Sequence, residues 1–352
     1  MKAILLAGGR GTRLRPLTVH TPKPIVPIFN RPFLHYQLEL IRQIPEIDEV
    51  ILSLNYQPRR VEEVFGDGSA LGLNIRYVVE PFPLGTAGAV KYAGDRLDDS
   101  VVVFNGDILT AIDLTAVIAL HRERQARATI VLTPVADPSA YGLVETDAAG
   151  NVRRFLEKPK PEEISTNHIN AGIYVLEPET FDRIPSDVEW SIERRYFPSL
   201  IERGETFVAY VYDGYWIDIG TPEKYAQVHR DIFDGRYAAG PFLGLEQPPR
   251  AIAAGARIDP QAVVEGPCFL DEGVVVRAGA RIGPYTVVGR QTVIEEDARL
   301  EAAIEWPNGR IGREASVRDA ILGRNCHIGR GVAVAPGAVL GDKTTLTDYS
   351  RV

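Results

Sequence analysis

The sequence predicts an α/β domain built on a largely parallel sheet, followed by a β-helix of hexapeptide repeats. Apolar β-rich runs alternate with helical patterns from residue 1 to about 235, whereas from Ile252 onward a branched aliphatic residue recurs at every sixth position. A polar, Pro-rich stretch, DGRYAAGPFLGLEQPPR, separates the two regimes. At 352 residues the chain is long for one core and long enough for two. The expected domains are 1–235 and 251–352, with a linker at 236–250.

In the first region KAILLAG precedes a helix near 33–44, EVILSLN one near 58–66, NIRYVVE one near 86–97, and SVVVFNGD one near 113–125. Strands that are apolar on both faces and separated by helices indicate a sheet covered on both sides. YGLVETDAAGNVRRFLEKP reads as a hairpin inserted in that sheet, turning at Ala149-Gly150-Asn151. Ligands of such folds lie beyond the carboxyl ends of the strands.

In the second region the aliphatic series runs Ile252, Ile258, Val264, Leu270, Val276, Ile282, Val288, Ile294 and Leu300. Small or β-branched residues stand two places before all but the first. The phase slips near EWPNGRIG, passes through Ile311 and Val317, and resumes at Leu322, Ile328, Val334, Leu340 and Leu346. Neither a helix nor an ordinary strand repeats at six; the coils of a β-helix do. Cys268 and Cys326 both fall on the small inward position, so they read as buried, unreactive thiols.

The formal net charge of -8 argues against a nucleic-acid or membrane-surface binder. The apolar run AILLAG is too short for an export signal or a membrane span, and two cysteines without a CxxC pair support neither a disulfide framework nor a zinc site. The expected location is the cytoplasm.

Against that acidic balance, the first 38 residues hold Lys2, Arg10, Arg13, Arg15, Lys23 and Arg31 and no Asp or Glu. A Gly-rich loop directly after a strand, AILLAGGRGTR, can bring backbone N–H groups close to an anion. It matches neither GxxxxGK[ST] nor GxGxxG, since Leu14 stands where the last Gly belongs. The prolines of TPKPIVP are expected to hold Lys23 on a stiff, extended segment. A polyphosphate is the indicated partner.

These residues resemble a family, the nucleotidyltransferases that make sugar nucleotides from a nucleoside triphosphate and a sugar 1-phosphate. AGGRGTRLRPLT followed by KPIVP is similar to their signature GGxGTRLxPLT…KPxxP. EPFPLGTAGA, NGD, YGLVE, FLEKP, INAGIYVL and YWIDIG resemble its mannose-1-phosphate guanylyltransferases (GDP-mannose pyrophosphorylases), in the same order over nearly the whole chain. The resemblance implies a Rossmann-like mixed sheet followed by a left-handed parallel β-helix.

It also implies a site. Arg13 and Lys23 would neutralise the leaving pyrophosphate, and Ala7, Gly8, Gly9, Gly11, Thr12, Glu80, Pro83, Gly85, Thr86 and Gly88 would bind the nucleotide. Lys158 would hold the sugar phosphate and Glu157 the sugar hydroxyls, with Gly106, Gly142, Asn170 and Ala171 lining the same side. Asp107 and Asp218 would hold catalytic Mg2+, an ion content with one or two carboxylates plus water and phosphate oxygens. Asp107 after Gly106 also reads as a turn cap. Asp218, between Ile217 and Ile219, is harder to explain without a partner or a metal.

The implied reaction is in-line attack by a sugar 1-phosphate oxygen on the α-phosphorus, which needs positioning and charge neutralisation and no general base. Glu80 stands where thymidylyl- and uridylyl-transferring relatives carry Gln. A carboxylate can accept both N1–H and N2–H2 of guanine, which favours GTP, with mannose 1-phosphate as acceptor. The alternatives are that the backbone of Ala7, Gly8 or Gly88 reads the base, that the chain uses UTP or dTTP with glucose 1-phosphate, or that it is a non-catalytic regulatory paralogue. A further rival, acyl transfer by the β-helix, would rest on His327. The flat coils suggest a homo-oligomer.

Overall fold

The computed structural model describes residues 1–94, 97–238, 242 and 249–352. Most of the expected linker, 239–241 and 243–248, lies outside them, as do 95 and 96 near the end of the third expected helix. The chain forms two compact units: Met1–Gly9 with Leu34–Asp218, and Arg10–Phe33 with Ile219–Val352. Among the described residues no helix is long and apolar enough to cross a membrane.

The first unit is organised by a nine-stranded mixed sheet. Strand Lys2–Leu6 lies at its centre, parallel to Glu49–Leu54 on one side and Val101–Asn105 on the other, and Ile75–Val79 extends it beyond Glu49–Leu54. Ala3, Ile4 and Leu5 are wholly buried, as a strand covered on both faces requires. Antiparallel strand His168–Leu176 joins at Val101–Asn105 and makes the sheet mixed. The inserted hairpin is Gly142–Thr146 with Val152–Glu157, turning through Gly150 at φ 77. The helices run Phe33–Arg42, Pro58–Phe65, Gly85–Ala93 and Leu114–Glu123, close to their expected places.

In the second unit, three parallel sheets of two- and three-residue strands form the left-handed β-helix. The aliphatic series turns inward and stacks: Leu270, Val288, Leu322 and Leu340 share one column, each at most 8% exposed. Ile252, which starts that column, is 38% exposed. Cys268 and Cys326 are buried and free, and burial pushes the Cys326 thiol up to about 12. The phase slip resolves into two short turns, because Val288 registers with Glu305 and Glu305 with Leu322. A carboxylate therefore fills an aliphatic slot.

Helix Pro222–Phe233 belongs to the same unit and meets the loop at Phe29. Phe29, at φ 53, packs its ring within 5.4 Å of the rings of Phe233, Phe242 and Phe269. Its N–H donates to His229 Nε2 at 3.2 Å, while His229 Nδ1–H donates to Tyr225 O at 3.0 Å. Both ring nitrogens are thus committed to the neutral form, and burial lowers the imidazole pKa to about 4. An unfolded histidine takes its proton near pH 6.5, so this contribution is intact above that pH and is lost as pH falls toward 4. The expected loss is about 3 kcal/mol, read as a decline in unfolding free energy between pH 7 and 4 that is shallower by that amount in His229→Gln.

Candidate active site

At the carboxyl end of the central strand, Ala7 donates its N–H to Ser53 O at 2.9 Å and Gly106 donates to Leu6 O at 3.0 Å. A Cβ on Gly106 would lie 2.5 Å from Leu6 O and 3.0 Å from Ala7 Cα, so only glycine lets the two strand ends meet this closely. Asp107 follows in the turn and is half-buried. Ile108–Thr110 then pairs antiparallel with Trp216–Asp218, with Asp218 opposite Ile108, so Asp107 neighbours the cross-strand partner of Asp218. Asp218 is 7% exposed and accepts the Tyr141 hydroxyl at 2.9 Å.

Two carboxylates on adjoining strand ends are a donor set that suits Mg2+, which completes its shell with water and phosphate oxygens. Among the described residues no group of three or more His, Cys, Asp or Glu is placed to hold a metal alone.

Tyr141 is a residue that sequence reasoning missed. Its carbonyl accepts the Lys158 N–H at 2.9 Å while its hydroxyl holds Asp218, so one side chain and its backbone link the hairpin to the carboxylate. The ring also lies 5.8 Å from Trp216, whose Nε1–H donates to Ala171 O at 2.9 Å. The tyrosine that opens YGLVE was the available signal.

Strand Val152–Glu157 ends at Glu157, and Lys158 turns to φ 53. A left-handed lysine breaks the strand's alternation, so the two adjacent side chains are not fixed on opposite faces. Glu157 pairs with Gly142 across the hairpin. Burial, then the charge of Glu193, raises the Glu157 pKa, and Lys158 opposes the rise. Asn170 sits where the register of its strand shifts, donating to Tyr174 Oη and accepting the Gly172 N–H, each at 2.9 Å.

Glu80 is 9% exposed beside Gly8. One carboxylate oxygen accepts the Ser53 hydroxyl and the other the Leu84 N–H, both at 3.0 Å. Each oxygen keeps a second lone pair. Pro83 is exposed, and Gly85 opens helix Gly85–Ala93. Thr86 and Gly88 direct their polar groups to the neighbouring segment: Thr86 donates to Glu193 and accepts the Ile192 N–H, and Gly88 N–H donates to Trp190 O.

Gly9 closes the first unit, and the rest of the basic loop clusters with the second. Gly11, at φ 58, precedes the 3-10 turn Thr12–Leu14, in which Thr12 and Arg13 are exposed. Lys23 is 9% exposed and opens a second such turn, Lys23–Ile25, instead of the expected extended segment. Pro22 is extended, but Pro24 occupies a helix-start position that its fixed φ suits.

Residues 2–235 match the family model described as nucleotidyl transferase, and residues 264–352 the one described as GMPPB C-terminal domain. The chain is 40% identical over 311 residues to a mannose-1-phosphate guanylyltransferase of Mycobacterium tuberculosis, covering 88% of this chain and 80% of that one. It is 34% identical to a UTP–glucose-1-phosphate uridylyltransferase of Synechocystis, covering 95% and 90% respectively. The solved structure of HddC from Yersinia pseudotuberculosis complexed with GMP-PN is 31% identical, with a TM-score of 0.55, covering 64% of this chain and 96% of that one.

Proposed function

The chain belongs to the nucleotidyl transferase family, and from that membership we propose that it transfers a guanylyl group from GTP to mannose 1-phosphate, forming GDP-mannose. It is an enzyme of the mannose-1-phosphate guanylyltransferase type, whose substrates are a nucleoside triphosphate and a sugar phosphate. The base and the sugar are the proposal.

Glu80 carries the choice of base. With one lone pair on each oxygen used by Ser53 and Leu84, the two that remain can accept N1–H and N2–H2 of guanine. Uracil or thymine would present a carbonyl oxygen to the same carboxylate and be repelled. The relative complexed with GMP-PN supports this reading.

In the proposed reaction a mannose 1-phosphate oxygen attacks the α-phosphorus in line, forming one P–O bond as the bond to pyrophosphate breaks. Lys158 steers the incoming phosphate, Glu157 holds sugar hydroxyls, with Gly142 and Asn170 beside them, and Arg13 and Lys23 neutralise the departing pyrophosphate. Asp107 and Asp218 would hold Mg2+, which when bound supplies positive charge to the phosphate oxygens. The same reading has the enzyme acting in the cytoplasm as a homo-oligomer joined through its β-helices.

Pyrophosphate release, scored for each common NTP against several sugar 1-phosphates, tests the pairing; preference for UTP or dTTP overturns the role of Glu80. Glu80→Gln is a sharper probe. Its amide oxygen can stay on the Leu84 N–H while its NH2 faces the Ser53 hydroxyl, which can turn to accept. The expected result is a folded enzyme with kcat/KM for GTP lowered at least tenfold and the ratio of UTP to GTP turnover raised, roughly one lost charge-assisted hydrogen bond.

A further inference from the structure

The loop that carries Arg13 and Lys23 clusters with the β-helix, and besides the packing of Phe29 two anchors tie it there. At the first, Thr21, 1% exposed, donates its hydroxyl to Asp342 Oδ2 at 2.9 Å. The other Asp342 oxygen accepts the Arg324 N–H at 2.8 Å, so this carboxylate is itself fixed by the coil below. Beside it, a Cβ on Gly341 would lie 3.1 Å from Pro16 Cβ and 3.3 Å from Pro16 O, which puts the coil's backbone against the loop.

At the second anchor, Trp306, 1% exposed, donates Nε1–H to Tyr225 Oη at 2.9 Å, and the Tyr225 hydroxyl donates to Pro27 O. Between the anchors the loop folds on itself. Thr18 donates to Gly11 O at 2.6 Å, and a Cβ on Gly11 would lie 3.1 Å from Thr18 Cγ2 and 3.4 Å from Lys23 Cβ. Pro16 and Thr21 are thus held by the repeats directly and Pro27 through Tyr225, on either side of Lys23.

We propose that Asp342 and Trp306 are positioning residues for the triphosphate: coils of the β-helix set the shape of the basic loop, and through it the enzyme's affinity for its nucleotide. This rests on the reading of Arg13 and Lys23 as triphosphate ligands. Residues 21–29 of the loop are buried, and a lysine contributes fully to a phosphate only where its backbone is fixed. The repeats supply that fixation at a sequence separation of 321 residues.

Steady-state kinetics with GTP and mannose 1-phosphate test it, using Thr21→Val, Asp342→Ala, the pair together, Thr21→Ser as the conservative rescue, and Trp306→Phe. Thr21→Val is nearly isosteric and removes only the loop's side of the bond. The expected result is a KM for GTP raised about fivefold in each of Thr21→Val, Asp342→Ala and Trp306→Phe, with the KM for mannose 1-phosphate within twofold of wild type. Thr21→Ser should restore the wild-type value, and the Thr21/Asp342 double variant should be no worse than the worse single one. Thermal unfolding identifies any variant that has simply lost its fold, in which case Trp306→Phe decides.

If KM for GTP is unchanged in Thr21→Val and Trp306→Phe while Lys23→Ala loses a hundredfold or more, the coupling is overturned and the loop's role stands. If Arg13→Ala and Lys23→Ala bind GTP as wild type does, the reading of the loop fails and the proposal with it. Equal losses toward both substrates would mark a merely structural role and also overturn it.

Discussion

Asp218→Asn is expected to lower kcat/KM roughly a thousandfold, about 4 kcal/mol of barrier, while the protein unfolds at its usual temperature. The side chain is 7% exposed at the end of strand Trp216–Asp218, where an ionised carboxylate is costly without compensation. Asparagine keeps the volume and keeps an oxygen to accept the Tyr141 hydroxyl, so the fold loses little. It removes the negative charge, and with it the affinity for a divalent cation. The two measurements separate the roles: a structural carboxylate would show in the melting curve, and a cation-holding one in turnover titrated with Mg2+. Retained turnover at ordinary Mg2+ would remove Asp218 from the metal assignment.

Much of this was legible because its determinants are local. The buried run of Lys2–Leu6, the Gly150 turn of the hairpin and the six-residue aliphatic period each depend on near neighbours in sequence. The elements that stayed hidden depend on distant ones. Nothing near Thr21 indicates Asp342, and nothing near Glu80 indicates that the Ser53 hydroxyl takes one of its oxygens. For the same reason the grouping of the basic loop with Ile219–Val352 in one compact unit could not be read from neighbouring residues. Tyr141 was passed over because an aromatic beside a glycine carries no charge to draw attention, although its two polar atoms reach both Lys158 and Asp218.

Glu305 was hidden differently. Counting aliphatic residues at intervals of six jumps over it, and only the register with Val288 and Leu322 shows that it occupies the inward slot. It is 1% exposed, and among the described residues neither carboxylate oxygen has a hydrogen-bond partner. Oε1 fills the space beside Gly309, where even a Cβ would lie 1.7 Å away. Burial raises the carboxyl pKa well above its usual range, and Glu305 adds to the rise of the Cys326 thiol.

Glu305→Leu is therefore expected to stabilise the β-helix by about 3 kcal/mol near neutral pH, by exchanging an unsatisfied carboxyl for the side chain that Leu270, Leu322 and Leu340 already place in that column. The pH dependence follows from the direction of the shift. The folded chain holds the Glu305 proton to higher pH than the unfolded chain, so its stability declines as pH rises from the ordinary carboxylate range toward the raised folded value. The gain from leucine should accordingly be larger at pH 8 than at pH 5. Glu305→Gln separates the two components, because an amide cannot ionise yet still leaves polar atoms unpaired: it should flatten the pH dependence with a smaller gain than leucine. Denaturant unfolding of the three proteins at the two pH values gives the comparison. A leucine variant less stable than wild type at both would mean that this carboxyl contributes to the coil's stability, contrary to its buried and unpartnered setting.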